Sequence, residues 1–447
     1  MSYFAKITGY ASAADSKNAI VYTRSNTFIT MESSEYAQPN FKYIINVIDG
    51  VDNYKFYLSQ NAVHCGVFNL KSILPSLVTP KVIEGLMGAP IFQITDVYET
   101  QTLTSKELIV EAYEGYDVGG IFTEDPSVKE EFGIMAIDGN QTNIFENNGV
   151  YALNDNIRTL RGFNEGSVAL AETIPSSIEL GTTQWQRINK QEIYSPTAPH
   201  YRVLSFCADN GTYADPLDAS VTLDHFTYRF YTENGSLIQT VNLPVTINKA
   251  TIAHIPIGLG RLYNGGHISL ASFNAKYYHV AGYNASNIVV TSFYGFVVVE
   301  DCKYNPVHLF WLNNAGGFEG YTFNKKSEYS WDVEKKRYQK YIGNYNAATY
   351  ANPASEKLWD ATIQERDPIV NKYITVTSDW LTEQEFYGMR NIVNSKLIYM
   401  RDDYSGQQNF EPLLIEDSNY LAKRERNSRK YNLTLRFKIV NDTPALY

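Results

Sequence analysis

At 447 residues, 44% apolar and 19% charged, the chain is too long for one small core and too apolar for disorder, so two to four folded domains are expected. The formal net charge of −10 is uneven: residues 1–300 carry −11 and residues 301–447 carry +1. An acidic body excludes a sequence-nonspecific DNA-binding protein, which needs a basic stripe to release counterions from phosphate.

In chain order, Phe41 to Ile48 places Phe41, Tyr43, Ile45 and Val47 on one face. Asp49-Gly50 then turns the chain into a second strand, Tyr54 to Leu58, which predicts a hairpin. In the run Gly66 to Val78, Pro75 limits any helix to about two turns, so a short helical turn is expected at the end of a sandwich. Glu107 to Tyr113 reads as a further strand. Polar residues with Pro196 and Pro199 mark a connector, and the first domain boundary is set near residue 175 to 190.

Beyond it, His225 to Tyr231 and Leu237 to Val241 alternate around Asn234-Gly235, the pair favoured by a type I′ turn because both its central residues need positive φ. Ile288 to Val290 and Tyr294 to Val299 are expected to complete this second β domain. In the last third, Leu381-Thr382-Glu383-Gln384-Glu385-Phe386 carries a capping box, Thr382 with Glu385, and a staple of Leu381 onto Phe386. Phe386, Met389 and Val393 recur on one face of the predicted helix. Lys396 to Met400, Pro412 to Ile415 and Leu433 to Ile439 read as strands. The whole is a mostly β chain: β-sandwich domains over 1–180 and 181–300, then an α+β domain over 301–447 with one capped helix on a β-sandwich or small barrel. The 35 Tyr and 22 Phe suit such half-buried pleated surfaces. No internal repeat with a period of about 20–50 residues is visible.

The search for chemistry is negative. The seven histidines form no HExxH, and neither GxSxG nor GxxxxGK[ST] occurs. His64-Cys65 is the nearest thing to a reactive pair, and neighbours in a strand point to opposite faces. Gly258-Leu259-Gly260 and Gly265-Gly266 sit in a β context and are expected to lead into no helix, which excludes a phosphate cradle. Asp209, Asp215 and Asp218 offer oxygen ligands without EF-hand spacing, and a solvated turn is the simpler reading. Cys65, Cys207 and Cys302 are odd in number and far apart, so neither a disulfide framework nor a zinc site is indicated. No secretory signal opens the chain and no stretch approaches the ~20 apolar residues of a membrane span. The expectation is a protein without catalytic, cofactor or metal residues, made in a reducing cytoplasm, with no membrane partner. Lys423, Arg424, Arg426, Arg429 and Lys430 form a basic segment between two strands: either a solvated hairpin tip or a patch for an acidic neighbour.

Two stretches carry a resemblance. Asp301 to Phe323, with Cys302, Tyr304, Pro306, Trp311, Leu312, Asn313, Gly316, Gly317 and Phe318, resembles a C-x-Y-x-P…W-L-N-x-x-G-G-F pattern of structural proteins from tailed double-stranded DNA phages, the crAss-like phages of gut Bacteroides among them. Phe41 to Leu74 is similar to the N-terminal β module of the same proteins. The resemblance implies a virion part, in the tail, tail hub, tail tube or neck rings, with no catalytic residues to carry over. The expected partners are further copies of the chain in a ring, neighbouring tail, neck or portal proteins, and genomic DNA passing without specific binding. Trp311, Gly316, Gly317 and Phe318 join the basic segment as interaction candidates. The alternatives are a receptor- or carbohydrate-binding tail protein and a virion polysaccharide hydrolase, whose paired carboxylates no sequence pattern reveals.

Overall fold

A computed structural model describes residues 4–7, 18–78, 99–101, 105–139, 157–159, 175, 178, 183–189, 203–208, 223–245, 252–264, 266–291, 293–299, 304, 306–313, 316–339, 363–381, 386, 389–402, 409–416, 421–425 and 430–440. The chain is mostly β, built as several sheets. The first strands are Phe4–Ile7 (β1), Asn18–Tyr22 (β2), Phe28–Glu32 (β3), Lys42–Asp49 (β4), Asp52–Leu58 (β5) and Gly66–Asn69 (β6). A 3-10 turn, Leu70–Ser72, and a one-turn helix, Leu74–Leu77 (α1), follow. Then come Glu99–Gln101 (β7), Ser105–Val118 (β8) and Ile121–Ile137 (β9).

Two sheets, β1-β3-β6 and β2-β9-β8-β4-β5, face each other across one core. Alternation selects the inward residues: Tyr43, Ile45 and Val47 from β4, Leu108 and Val110 from β8, Phe132 and Ile134 from β9, Ile29 and Met31 from β3. Tyr43 is fully buried, and its hydroxyl donates to the His64 carbonyl at 2.6 Å. Pro75 sits in the first turn of α1, where its missing N–H leaves nothing unsatisfied, and Leu70, Ile73 and Leu74 plug the core. Gly50, at φ 62°, makes the expected tight turn between β4 and β5.

The next strands are Ile157–Thr159 (β10), Thr183–Asn189 (β11), Val203–Ala208 (β12), His225–Tyr231 (β13), Leu237–Pro244 (β14) and Ile252–Pro256 (β15). Two short helices, Leu259–Asn264 (α2) and Leu270–Phe273 (α3), precede Tyr277–Tyr283 (β16) and Phe293–Val299 (β17). The sheets are β10-β12-β15-β7 and β11-β17-β16-β13-β14. Their shared core holds Phe226, Tyr228 and Phe230 of β13, Tyr278 and Val280 of β16, and Tyr294, Phe296 and Val298 of β17.

Strand for strand, this repeats the first sandwich. In each, the first strand of the larger sheet pairs in parallel with the last, β2 with β9 and β11 with β17, and every other pairing is antiparallel. In each, the smaller sheet takes the strand before, the strand after and the strand following the hairpin, and helical turns precede the last two strands. The arrangement is the Greek-key order of an immunoglobulin-type sandwich, with the first strand divided between the sheets. Phe4–Ile137 and Ile157–Val299 are therefore two tandem copies of one architecture. Strand pairing also crosses the boundary expected near residue 175 to 190. β10 belongs to the second sandwich, and β7, which leaves the first sandwich between α1 and β8, pairs with β15 at the outer edge of the second.

Several local expectations are corrected here. Of Asn234-Gly235, only Gly235 has positive φ (79°), and the Gly235 N–H bonds to the Thr232 carbonyl while the Thr232 N–H bonds to that of Ser236. This is a type I turn with a glycine bulge rather than a type I′ turn, and the β13–β14 register shifts beside it. Ile288 to Val290 forms no strand; only an isolated bridge joins Val289 to Tyr283. Gly258 leads directly into α2, contrary to the expectation of no helix, but α2 is six residues long and buries Leu259 and Leu262 in the core.

The remaining strands are Val307–Leu312 (β18), Phe318–Phe323 (β19), Glu328–Gln339 (β20), Ile363–Thr377 (β21), Ile398–Asp402 (β22), Asn409–Ile415 (β23), Leu421–Glu425 (β24) and Lys430–Ile439 (β25). Among the described residues they pair as one eight-stranded antiparallel sheet, β19-β18-β22-β23-β25-β21-β20, with β24 on β25. Leu433, Leu435, Phe437 and Ile439 face its core as expected, and Leu381, Phe386 and Met389 pack into the same core. Phe386 and Met389 are helical and lead into a 3-10 turn, Arg390–Ile392; Thr382 and Glu385 lie outside the described residues.

Candidate assembly interface

β20 and β21 form an arm. Among the described residues β25 pairs with β21 over Lys372–Thr377, while β20 follows β21 outward to Ile363, so the distal part of the ribbon there has two strands. The ribbon changes register opposite Lys335, where β21 inserts an extra residue around Asp367-Pro368; proline has no N–H for the ladder and is tolerated at such a bulge. β20 itself stays regular. Its residues from Glu328 to Tyr338 are exposed on both faces, with Tyr329, Trp331 and Val333 in a row on one face at 52%, 62% and 41% exposure. A two-stranded ribbon is marginal in water by itself, and the exposed row Tyr329, Trp331 and Val333 leaves apolar surface on it uncovered by the described residues.

The turn between β18 and β19 has a different place. Trp311 is fully buried in the C-terminal core, and among the described residues its indole Nε1 finds no acceptor. Phe318 is 4% exposed. Asn313, also buried, holds the turn: its Oδ1 accepts from the Gly317 N–H at 3.0 Å, and its N–H donates to the Gly317 carbonyl at 2.8 Å. Only Gly316 has positive φ (83°), and a Cβ there would lie 2.2 Å from Ile137 Cγ2. The turn is thus seated against the end of β9. Next to it Asp138, fully buried, accepts from Lys396 Nζ at 3.0 and 3.2 Å and from Thr23 Oγ1 at 3.1 Å, with Arg24 Nε 3.6 Å away. Trp311 thus fills the C-terminal core, Gly317 is tied to Asn313 within the turn, Phe318 is buried, and Gly316 lies against the first sandwich.

Of the basic candidates, Lys423 and Arg424 lie on β24 and Lys430 opens β25, with Glu425 paired to Lys430; Arg426 and Arg429 lie outside the described residues. The backbone does place this segment at a hairpin end. The four long strands of the first sandwich, β4, β5, β8 and β9, carry ten acidic and four basic residues and present a complementary field. On their outer face Glu124 accepts from Lys55, Tyr57 and Tyr113, and the Lys55 hydrogen bond holds its carboxyl below the usual range.

No catalytic arrangement emerges among the described residues. His64 stacks on Tyr36 and contacts Gln60, while burial, with the Glu32 carboxylate beside it, pushes the Cys65 thiol up, the reverse of an activated nucleophile. His225 contacts Asp224 at 2.9 Å and stacks on Tyr283 with no nucleophile shown within reach. Among the described residues no three His, Cys, Asp or Glu side chains cluster as a metal site, and Asp209, Asp215 and Asp218 lie outside them. An open groove of about 740 Å³ on the second sandwich is lined by Thr232, Glu233, Phe273, Asn274 and Lys276 among others, with one carboxylate and no His or Cys. No helix among the described residues is long and apolar enough to cross a membrane. The arm is the feature that the sequence reading missed; the alternation Tyr329, Trp331, Val333 was its signal.

No family model matches the chain, and no curated protein matches it. Among solved structures, it is similar to a tetra-tandem repeat in the extending region of a large adhesion protein, at 7% identity and TM-score 0.19 over 84% of this chain and 70% of that one. It is also similar to protocadherin gamma B7 extracellular cadherin domains 1–4, at 9% identity and TM-score 0.12 over 81% and 70%. Overlays this loose support no inference about function.

Proposed function

We propose that the chain is a non-enzymatic structural component of a tailed-phage virion, assembling as an oligomeric ring in the tail hub, tail tube or neck and contacting neighbouring virion proteins. The observation that carries this reading is the β20–β21 arm: β20 is exposed on both faces and carries an aromatic stripe, on a body of packed sheets. Such an element gains stability only when another chain covers it. The resemblance of Phe41 to Leu74 and Asp301 to Phe323 to phage structural proteins supports the placement in a virion. The acidic first 300 residues would repel DNA from a lumen wall and let it slide. A second reading, a carbohydrate-binding tail protein, is favoured by the open groove beside Phe273, where Glu233, Asn274 and Lys276 could bond to hydroxyl groups. The test is native mass spectrometry of the purified chain across a concentration series. Closed multimers near six or twelve copies are expected; a clean trimer that binds glycans would replace the ring with the second reading.

A further inference from the structure

We propose that β20 pairs edge to edge with β20 of a second copy, antiparallel about a two-fold axis. Four observations lead there. Among the described residues β20 pairs with β21 alone and ends the sheet as a regular strand. One face carries the Tyr329, Trp331 and Val333 stripe. The strand is also charged in two halves: Glu328, Asp332 and Glu334 come first, then Lys335, Lys336 and Arg337. Finally, Asp332 and Lys336 lie on the same face of the strand, four residues apart.

Antiparallel pairing of two identical strands sets the Asp332 end of each charged face against the Lys336 end of the other. A two-fold axis at Glu334 places Asp332 opposite Lys336 twice over, with the two Glu334 side chains meeting at the axis, and on the other face it sets Arg337 against Trp331 and Lys335 against Val333. Parallel pairing in register would instead stack like charges on each other. A run of cations alone would be an edge guard that keeps strands apart. An acidic half in front of it, with an aromatic stripe alongside, makes the edge complementary to itself. The second copy is therefore the occupant that the charge pattern selects. This inference does not depend on the virion reading, since a two-fold contact can join dimers in solution or two rings face to face.

Two variants of the full chain test it. Glu328→Lys with Asp332→Lys leaves Glu334 as the one acid of β20, and Lys336→Glu with Arg337→Glu makes the strand predominantly acidic. Light scattering of the native protein should give a concentration-dependent dimer, and each variant alone should raise the dimer dissociation constant by about tenfold or more, because like charges now oppose. Mixed one to one, the two variants should form a heterodimer. Circular dichroism would show both variants folded, as expected for substitutions at exposed positions. A native chain still monomeric at about 100 μM, variants that dimerise as the native chain does, or a mixture that stays monomeric would each overturn the proposal. Closed six- or twelve-copy rings insensitive to these charges would overturn it and leave the ring reading intact.

Discussion

His279 points from β16 away from the main core of the second sandwich, 1% exposed, between Tyr231 and Phe293, and among the described residues neither ring nitrogen has a hydrogen-bond partner. Burial, with Arg229 adding to it, lowers its pKa from 6.5 to about 4. The sign follows from proton binding. Below pH 6.5 the unfolded chain takes up a proton that the folded chain refuses, so stability is whole above that pH and is lost progressively down to about 4. The total is about 3 kcal/mol. Urea midpoints measured between pH 7 and 4 should fall accordingly, and His279→Phe should flatten that slope. Gly316 gives a second single-residue contrast. Gly316→Ala meets both a positive φ and a Cβ contact of 2.2 Å, and should cost about 3 kcal/mol or more, whereas Gly50→Ala has open space and should cost only about 1 kcal/mol. Thermal melts of the two variants would separate strain from collision. Neither site could be ranked from sequence: Gly-Gly signals a turn, but which glycine is left-handed, and what it touches, depends on Ile137 far along the chain.

Among the elements, strands with regular alternation were legible. β4, β8, β13 and β25 bury in their cores the residues that period two assigns there, although β4 and β13 also bury their opposite faces, at Ile44 and Asn46 and at Thr227 and Tyr231. Elements at odds with the pattern were misread for identifiable reasons. The β13–β14 turn takes five residues rather than two, and a dipeptide signal cannot count them. β20 was passed over because its charged half dilutes the apolar count, although that mixture is what an exposed arm requires. The join between β9 and β22 was illegible, since Asp138 and Lys396 are 258 residues apart. Lys396→Ala leaves the buried carboxylate with Thr23 and Arg24 alone. Because the Lys396 side chain is 40% exposed, the loss should be modest, about 1–2 kcal/mol. A double-mutant cycle with Asp138→Ala should return a coupling of similar size; additive losses would mean that the contact contributes nothing to the join.

For the whole molecule, the class was readable and the duplication was not. Aromatic and β-branched content with short alternating runs predicts packed sheets, and sheets are found. The two sandwiches share strand order while their sequences share only the in-and-out rhythm, as Tyr43, Ile45, Val47 against Phe226, Tyr228, Phe230 illustrates. Many side chains fill the same kind of site, so architecture persists where identity does not. The donated strand makes the sandwiches unequal. A fragment spanning residues 181–447 lacks β7 and β10, leaving β12 and β15 as a two-stranded sheet. It should melt well below the full chain or fail to fold cooperatively, whereas a fragment ending at residue 300 keeps every strand of both sandwiches. Calorimetry of the two fragments would decide; an independently stable 181–447 would mean that β7 and β10 add little.

The same donated strand sets an order of events during synthesis. Glu99–Gln101 leaves the ribosome long before its partner Ile252–Pro256 is made, and at roughly 5–20 residues per second the interval is about 8 to 30 seconds. The first sandwich has all its own strands by residue 137 and can close within that time, while the segment destined for its neighbour must wait outside. The nascent chain thus carries an unpaired strand as a placeholder, and how faithfully the second sandwich closes depends on how fast translation delivers β15 to it.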